Sequence, residues 1–243
     1  MKHSWLNKPH FEKMTWSHFW EYYKFHTIFG IFALVLIITL IYSMLSNKEP
    51  DITVQIVGSS VISQEKVEPK FEEALKSVVT DANGDGAIVT DVIVKNISSY
   101  HPAEDKAAEG VKIIEWDNEP TNADRMMIEK ITLDLTTGEP ALYIIDGSIM
   151  EVYMGQGVFA ELESFDLPKD AAVIEGESEL APGKTHIYGV SLKDNAFLKA
   201  VGIDSTDKYI GVRVVNAGQE KDETLKNNYK NAMAALKYIL NYK

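Results

Sequence analysis

Residues 27–45 read TIFGIFALVLIITLIYSML, a run with neither a charge nor a proline. Wound as an α-helix, about 19 residues rise about 28 Å, enough to span the hydrocarbon core of a bilayer. That reading divides the chain into a head at residues 1–26, a transmembrane helix at 27–46, a linker at 47–51 and a large domain at 52–243. It fixes where the protein works and leaves open what it does.

Outward from the span, Lys2, Lys8, Lys13 and Lys24 precede it, and only Lys48 follows closely. The side richer in basic residues stays in the cytoplasm. The expected topology is therefore a single pass through the cell membrane, N-terminus cytoplasmic and C-terminal domain extracytoplasmic. The alternative is a cleaved signal peptide, whose apolar region runs about 7–15 residues and ends in a small-residue cleavage site. The run here is longer, and its exit, Tyr42-Ser43-Met44-Leu45-Ser46, has no such site, which favours a retained signal-anchor. The head holds Trp5, Trp16, Trp20, Phe11, Phe19, Tyr22, Tyr23 and Phe25. Such rings suit the headgroup zone, where one edge stays wet while the body is buried. Thr15–His26 is expected to extend the helix into that zone. His3, His10, His18 and His26 lie here too, at spacings that fit no zinc pattern and suit interfacial solvation.

The net charge is −12; five lysines and three carboxylates in residues 1–49 leave −14 to residues 50–243. A domain that acidic argues against a nucleic-acid partner and is repelled by anionic lipid. The absence of cysteine excludes disulfides, thiol catalysis and thiolate metal sites. An exported domain without disulfides fits a bacterial envelope.

Along the domain, Ile52–Val57 reads as a buried strand ending at Gly58-Ser59-Ser60. A helix is expected over about Gln64–Val79, with Val67, Phe71, Ala74, Leu75 and Val78 on one stripe and Pro69 a candidate for its true start. A strand follows through Ile88–Ile97, then a polar stretch with a short run at Lys112–Trp116. A second helix is expected from Thr121 to Gly138, a strand over Ala141–Asp146 and a short helix over Met150–Met154. A loop containing Pro168 and Pro182 leads to a strand at His186–Leu192. Helical turns at Asn195–Val201, a strand at Tyr209–Val215 and a helix over Glu220–Tyr242 close the chain. Strands alternating with helices predict an α/β sheet of mixed or parallel pairing.

One motif carries chemistry. Asp81-x-Asn83-x-Asp85-Gly86-x-Ile88 matches the opening of an EF-hand calcium loop. Oxygens at alternate positions converge on one hard cation, glycine permits the sharp turn, and the Ala87 carbonyl adds a ligand. The glutamate expected at the twelfth position is replaced by Val92, with Asp91 beside it as a substitute. A turn rich in Asn, Asp and Gly for conformational reasons alone is the other reading. The metal candidates are therefore Asp81, Asn83, Asp85, Ala87 and Asp91, holding a structural Ca2+.

Open α/β sheets bind ligands beyond the carboxyl ends of their strands. Asp146-Gly147-Ser148 ends one expected strand, and Ser59-Ser60 follows another. Ser59, Ser60, Asp146 and Ser148 are thus the candidate ligand-facing residues, with helix capping as their plainer role. Asp124, Glu129 and Asp134 read as a solvated helix face, and His101 and His186 as surface or core histidines. No catalytic set is recognisable.

Several segments together resemble the extracellular solute-binding proteins that serve ABC transporters. These are the opening strand and helix, the segment Leu135-Thr136-Thr137-Gly138-Glu139-Pro140-Ala141-Leu142-Tyr143-Ile144-Ile145-Asp146, its continuation Gly155-Gln156-Gly157-Val158-Phe159-Ala160-Glu161-Leu162, the strand His186-Ile187-Tyr188-Gly189-Val190-Ser191-Leu192 and the closing helix around Asn231–Leu240. The whole layout, aromatic head included, is similar to that of membrane proteins of Gram-positive bacteria. The resemblance implies one lobe of a periplasmic-binding-protein-like fold, and some sugar-binding members carry a related calcium loop. Such proteins trap ligand between two lobes, whereas only one lobe's worth of elements is present here, so solute capture needs a second wall from another copy or another protein. The expected function is non-catalytic binding, of a small-molecule solute, at the outer face of the membrane. The alternative is an accessory subunit that has lost solute binding and docks a membrane-protein partner.

Overall fold

The computed structural model describes residues 16–46, 48–97, 100–102, 114–116, 119–137, 140–165, 167–168, 170–178, 181–215 and 221–243. Expectations placed on residues 1–15 (Trp5, His3 and His10 among them), on residues 112–113 and on Gly138 lie outside that set. The chain separates into two units, Met1–Lys48 and Glu49–Lys243.

In the first unit the described residues form one helix, α1 (Trp16–Ser46). Its stretch Tyr23–Ser43, 21 residues, is long and apolar enough to cross a membrane, and none of it is buried inside the protein. Phe29, Phe32, Leu36 and Leu40 are all exposed. In water each such side chain forgoes about 1.5–3 kcal/mol of burial; in hydrocarbon that deficit vanishes. The hydroxyl of Thr39 donates to the Val35 carbonyl at 2.7 Å, so this polar group is satisfied within the helix.

The second unit is an α/β layer structure around a six-stranded mixed sheet. β1 (Ile52–Gly58) buries Ile52, Val54 and Ile56 on one face and Gln55 and Val57 on the other, the pattern of a central strand covered on both sides. α2 (Gln64–Leu75) lays Val67, Phe71 and Leu75 on the first face. Pro69 lies inside this helix, which starts at Gln64 and stops four residues short of Val79. β2 (Thr90–Asn96) runs parallel to β1, with Ile52 opposite Thr90.

A small antiparallel pair, β3 (Tyr100–Pro102) and β4 (Ile114–Trp116), follows. α3 (Asn122–Thr137) then buries Ile131 and Leu135 on the second face. β5 (Leu142–Asp146) pairs parallel with β1 on the side away from β2. Parallel crossovers are right-handed, so reversing direction at β1 sends α2 and α3 to opposite faces and leaves a switch point between β1 and β5.

α4 (Gly147–Tyr153) and a 3-10 turn (Met154–Gln156) come next, then β6 (Val173–Ser178), β7 (Ala181–Ser191), α5 (Ala196–Val201), β8 (Lys208–Val212) and α6 (Glu223–Leu240). The sheet order is β2-β1-β5-β8-β7-β6, with β8, β7 and β6 each antiparallel to the strand before it in that order. Where a loop was expected, β6 and the first half of β7 form an edge hairpin. Its alternation is faint because Ile174 is the one buried apolar residue of β6 and two register shifts interrupt the pairing.

α6 is capped by Asp222, whose carboxylate accepts from Thr224 N at 2.9 Å and Leu225 N at 3.2 Å, worth about 1 kcal/mol. Its Ala232, Ala235, Leu236 and Ile239 join Phe71 and Phe197 in the first core layer. Phe71 and Phe197 meet edge to face with centroids 5.0 Å apart.

Candidate functional site at the carboxyl edge of β1 and β5

β1 and β5 are parallel and adjacent, so their carboxyl ends emerge side by side. Ser59 and Ser60 leave β1, Asp146 is the last residue of β5 and Ser148 lies in the first turn of α4. The structure brings these four sequence candidates into one cavity of about 240 Å³, completed by Asp204, Thr206, Asp207 and Lys208. The second quartet was not anticipated. β8 is antiparallel to β5, with Asp146 opposite Lys208, so the turn before β8 arrives at the same edge as the end of β5.

The chemistry of the floor is an ion pair. Lys208, 1% exposed, donates its ammonium to Asp146 Oδ1 and to the Val57 carbonyl at 3.3 Å. Asp146 Oδ2 accepts from Ser59 N at 2.9 Å and from the Ser59 hydroxyl at 3.3 Å. Both carboxylate oxygens are engaged, so Asp146 and Ser59 act as a clamp between strand ends, and Ser60 and Ser148 are left to face the cavity. A Cβ on Gly58 would fall on the Lys208 ammonium and 2.8 Å from Asp146 Cγ. Only glycine lets the strand end pass this close to the pair.

Along the rim, Asp204 accepts from Thr206 N at 3.1 Å and from its hydroxyl at 2.7 Å. The Thr206 hydroxyl and N–H hold the Asp204 carboxyl below its usual range. Asp207 is pushed the other way, first by burial and then by the charge of Asp146. A group whose folded-state pKa is raised lends stability that is full below its unfolded value near 3.8 and lost as pH rises through the folded value. Asp207→Asn is therefore expected to match the parent near pH 3.5 and to exceed it at pH 7, by about 1 kcal/mol or less given partial solvation. Urea melts at the two pH values check this; an equal difference at both would remove the charge argument.

The calcium-like loop is built from its own side chains. Asp81 accepts from Gly84 N at 2.6 Å and Gly86 N at 2.8 Å, Asn83 from Asp85 N at 2.9 Å and Asp85 from Ala87 N at 2.8 Å. Gly84 and Gly86 take φ of 77° and 79°, where other residues are strained. The Gly86 N–H is the largest influence holding the Asp81 carboxyl low. Asp91 lies on β2 opposite Thr53, past the loop. Asp51, fully buried, ties the loop to the core by accepting from Ala82 N at 2.6 Å and Val89 N at 2.8 Å.

The opposite edge of the sheet carries a larger cavity, about 450 Å³, near Glu49, Arg213 and Asn228. Arg213 is engaged there by helix-end carbonyls, Leu135 O at 2.7 Å and Thr136 O at 3.4 Å, which marks a structural cap of α3. The switch-point cavity is smaller, and every residue lining it is polar. No family model, curated protein or solved structure matches this chain.

Proposed function

We propose that the chain is a membrane-anchored extracytoplasmic binding protein of solute-binding type, non-catalytic, held by residues 27–46 with its N-terminus in the cytoplasm. One observation carries the reading: Ser60, Ser148, Asp204 and Asp207 converge on one polar cavity at the switch point, over a floor fixed by the Lys208–Asp146 pair. Hydroxyls and surplus carboxylates suit a small polar solute bearing hydroxyl or amino groups. The sheet order beginning β2-β1-β5, with an antiparallel β8 beside it, supports kinship with one lobe of a periplasmic-binding-protein-like fold. At about 240 Å³ the cavity is one wall of a cleft, below the ~300–1,000 Å³ of sites that enclose a ligand. A second wall must come from elsewhere. Ca2+ in the loop of Asp81, Asn83, Asp85 and Ala87, completed by Asp91, is part of the proposal as a structural stabiliser.

The competing reading, an accessory subunit docking a membrane-protein partner, calls for an exposed apolar patch. Among the described residues of 49–243 the large apolar side chains that stand exposed are Val61, Met126 and Leu133, which favours the solute. The test is the melting temperature of the full chain in detergent, in EDTA, in calcium, and in calcium with pooled sugars, amino acids or peptides. A ligand at a hundred times its Kd adds about 2.7 kcal/mol. A rise with one pool, lost in Ser148→Leu, is expected. A rise with calcium alone, lost in Asp81→Asn, would move the assignment to the accessory subunit, and no rise would sink both binding proposals.

A further inference from the structure

β7 and β8 pair directly only at Val190–Ile210 and Ser191–Tyr209. Beyond that point they part, and the segment 158–163 fills the gap. Val214 N donates to Val158 O at 3.0 Å, Ala160 N to Val212 O at 2.8 Å and Leu162 N to Ile187 O at 2.8 Å. From Ala160 onward burial alternates: Ala160 and Leu162 are buried, Glu161 and Glu163 exposed. Across the gap lies His186 of β7. Its Nδ1 is 3.3 Å from Glu161 Oε2 and 3.2 Å from Glu163 Oε1. Its Nε2 is buried, so Nδ1 is the ring nitrogen presented outward.

Two features set this trio apart from a solvated charge cluster. Glu163 is held in place from outside the trio, because its Oε1 also accepts the Ile187 N–H at 2.7 Å. The imidazole Nδ1 is also shared between two carboxylates: it lies within hydrogen-bond distance of Glu163 Oε1, so without metal an Nδ1–H holds the trio together, and a divalent ion would take that proton's place. The two nitrogen–oxygen distances fit a metal's coordination shell: around tetrahedral zinc, with bonds of about 2.0–2.1 Å, neighbouring donor atoms stand about 3.3–3.4 Å apart. All three donor atoms lie within 4.8 Å of one another. An imidazole with two carboxylates suits a zinc-type ion better than calcium, which takes oxygen ligands only.

We propose that Glu161, Glu163 and His186 form a site for one divalent transition-metal ion of zinc type. The two glutamates neutralise its charge, and the fourth position is open to water because their side chains are 51% and 42% exposed. The ion would pin the inserted segment to β7 and so tie the β6–β7 hairpin to the rest of the sheet. The site is independent of the switch-point cavity and of the Asp81 loop.

The experiment is a zinc titration of the full chain in detergent, read by competition with a chelating dye and by the melting temperature. One zinc per chain is expected, with His186→Asn weakening binding roughly tenfold or more. Glu163→Gln retains the oxygen that takes the Ile187 N–H, and Glu161→Gln has no backbone bond to lose. Each should therefore melt like the parent without zinc and bind it more weakly. No saturable zinc binding, or binding unchanged in all three variants, would overturn the site.

Discussion

Lys208→Met is expected to lower the unfolding free energy of the 49–243 unit by about 3–5 kcal/mol, because it leaves the Asp146 carboxylate buried without its cation. Asp146 is 5% exposed and Lys208 1%, so water can replace the missing partner only in part, from the cavity side. The desolvation cost of the remaining ion is the main effect, beside the lost bond to the Val57 carbonyl, since methionine fills much of the space of the lysine stem. Replacing both members should hurt less than replacing either, because an apolar pair of similar volume carries no stranded charge. Asp146→Leu with Lys208→Met is thus expected to recover a substantial part of the single-variant loss. Recovery stops short because Ser59 N loses its acceptor. Urea denaturation of the two single variants and the double variant supplies the cycle. Additive losses would mean that the two groups do not interact, and the floor of the cavity would need another account.

Asn231→Leu should cost about 3–4 kcal/mol, although it changes volume little and adds apolar area. Asn231, 2% exposed on α6, uses both ends of its amide. Its Oδ1 accepts from Thr80 N and the Thr80 hydroxyl, each at 3.0 Å, and its Nδ2 donates to Thr80 O at 2.8 Å and Asp51 O at 3.0 Å. The substitution strands these partners at about 1–3 kcal/mol for each group that stays buried, less the gain from the leucine itself. The damage should be local as well as global, because Thr80 and Asp51 frame the Asp81 loop. Hydrogen exchange at Ala82 and Val89, the amides that Asp51 holds, is expected to quicken more than exchange in β5. A loss below about 1 kcal/mol would show that solvent reaches Thr80 once the amide is gone.

Much of the second unit could be read along the chain because its signals are local. β1, β5 and α6 announce themselves by uninterrupted or 3–4-spaced apolar residues, whereas Asp222 and Asn195, read as helical, prove to be the caps, Asn195 accepting from Leu198 N at 3.1 Å. Ser59, Ser60, Asp146 and Ser148 were legible as rim residues because each follows or ends a strand that looks buried. Their shared cavity required only that β1 and β5 be parallel neighbours. β6 was missed, since an edge strand with one buried apolar residue and two register shifts has no period to detect. Pro69, a candidate helix start, was outweighed by the burial of Val67 ahead of it.

Sequence alone determined the long apolar helix, the acidic cysteine-free α/β unit, and the loop whose Asp, Asn and Gly spacing dictates its own turns. All of these rest on properties of neighbouring residues, which chain order preserves. Tertiary structure decided which strand edges face the same way. The reversal of β8 set Lys208 under Asp146, 62 residues away, and the parting of β7 from β8 set Glu161 and Glu163 against His186. Charge placed in contact by strand direction leaves no trace in spacing, because the free energy that selects the direction comes from burying the sheet faces, not from the polar residues that meet at its edge.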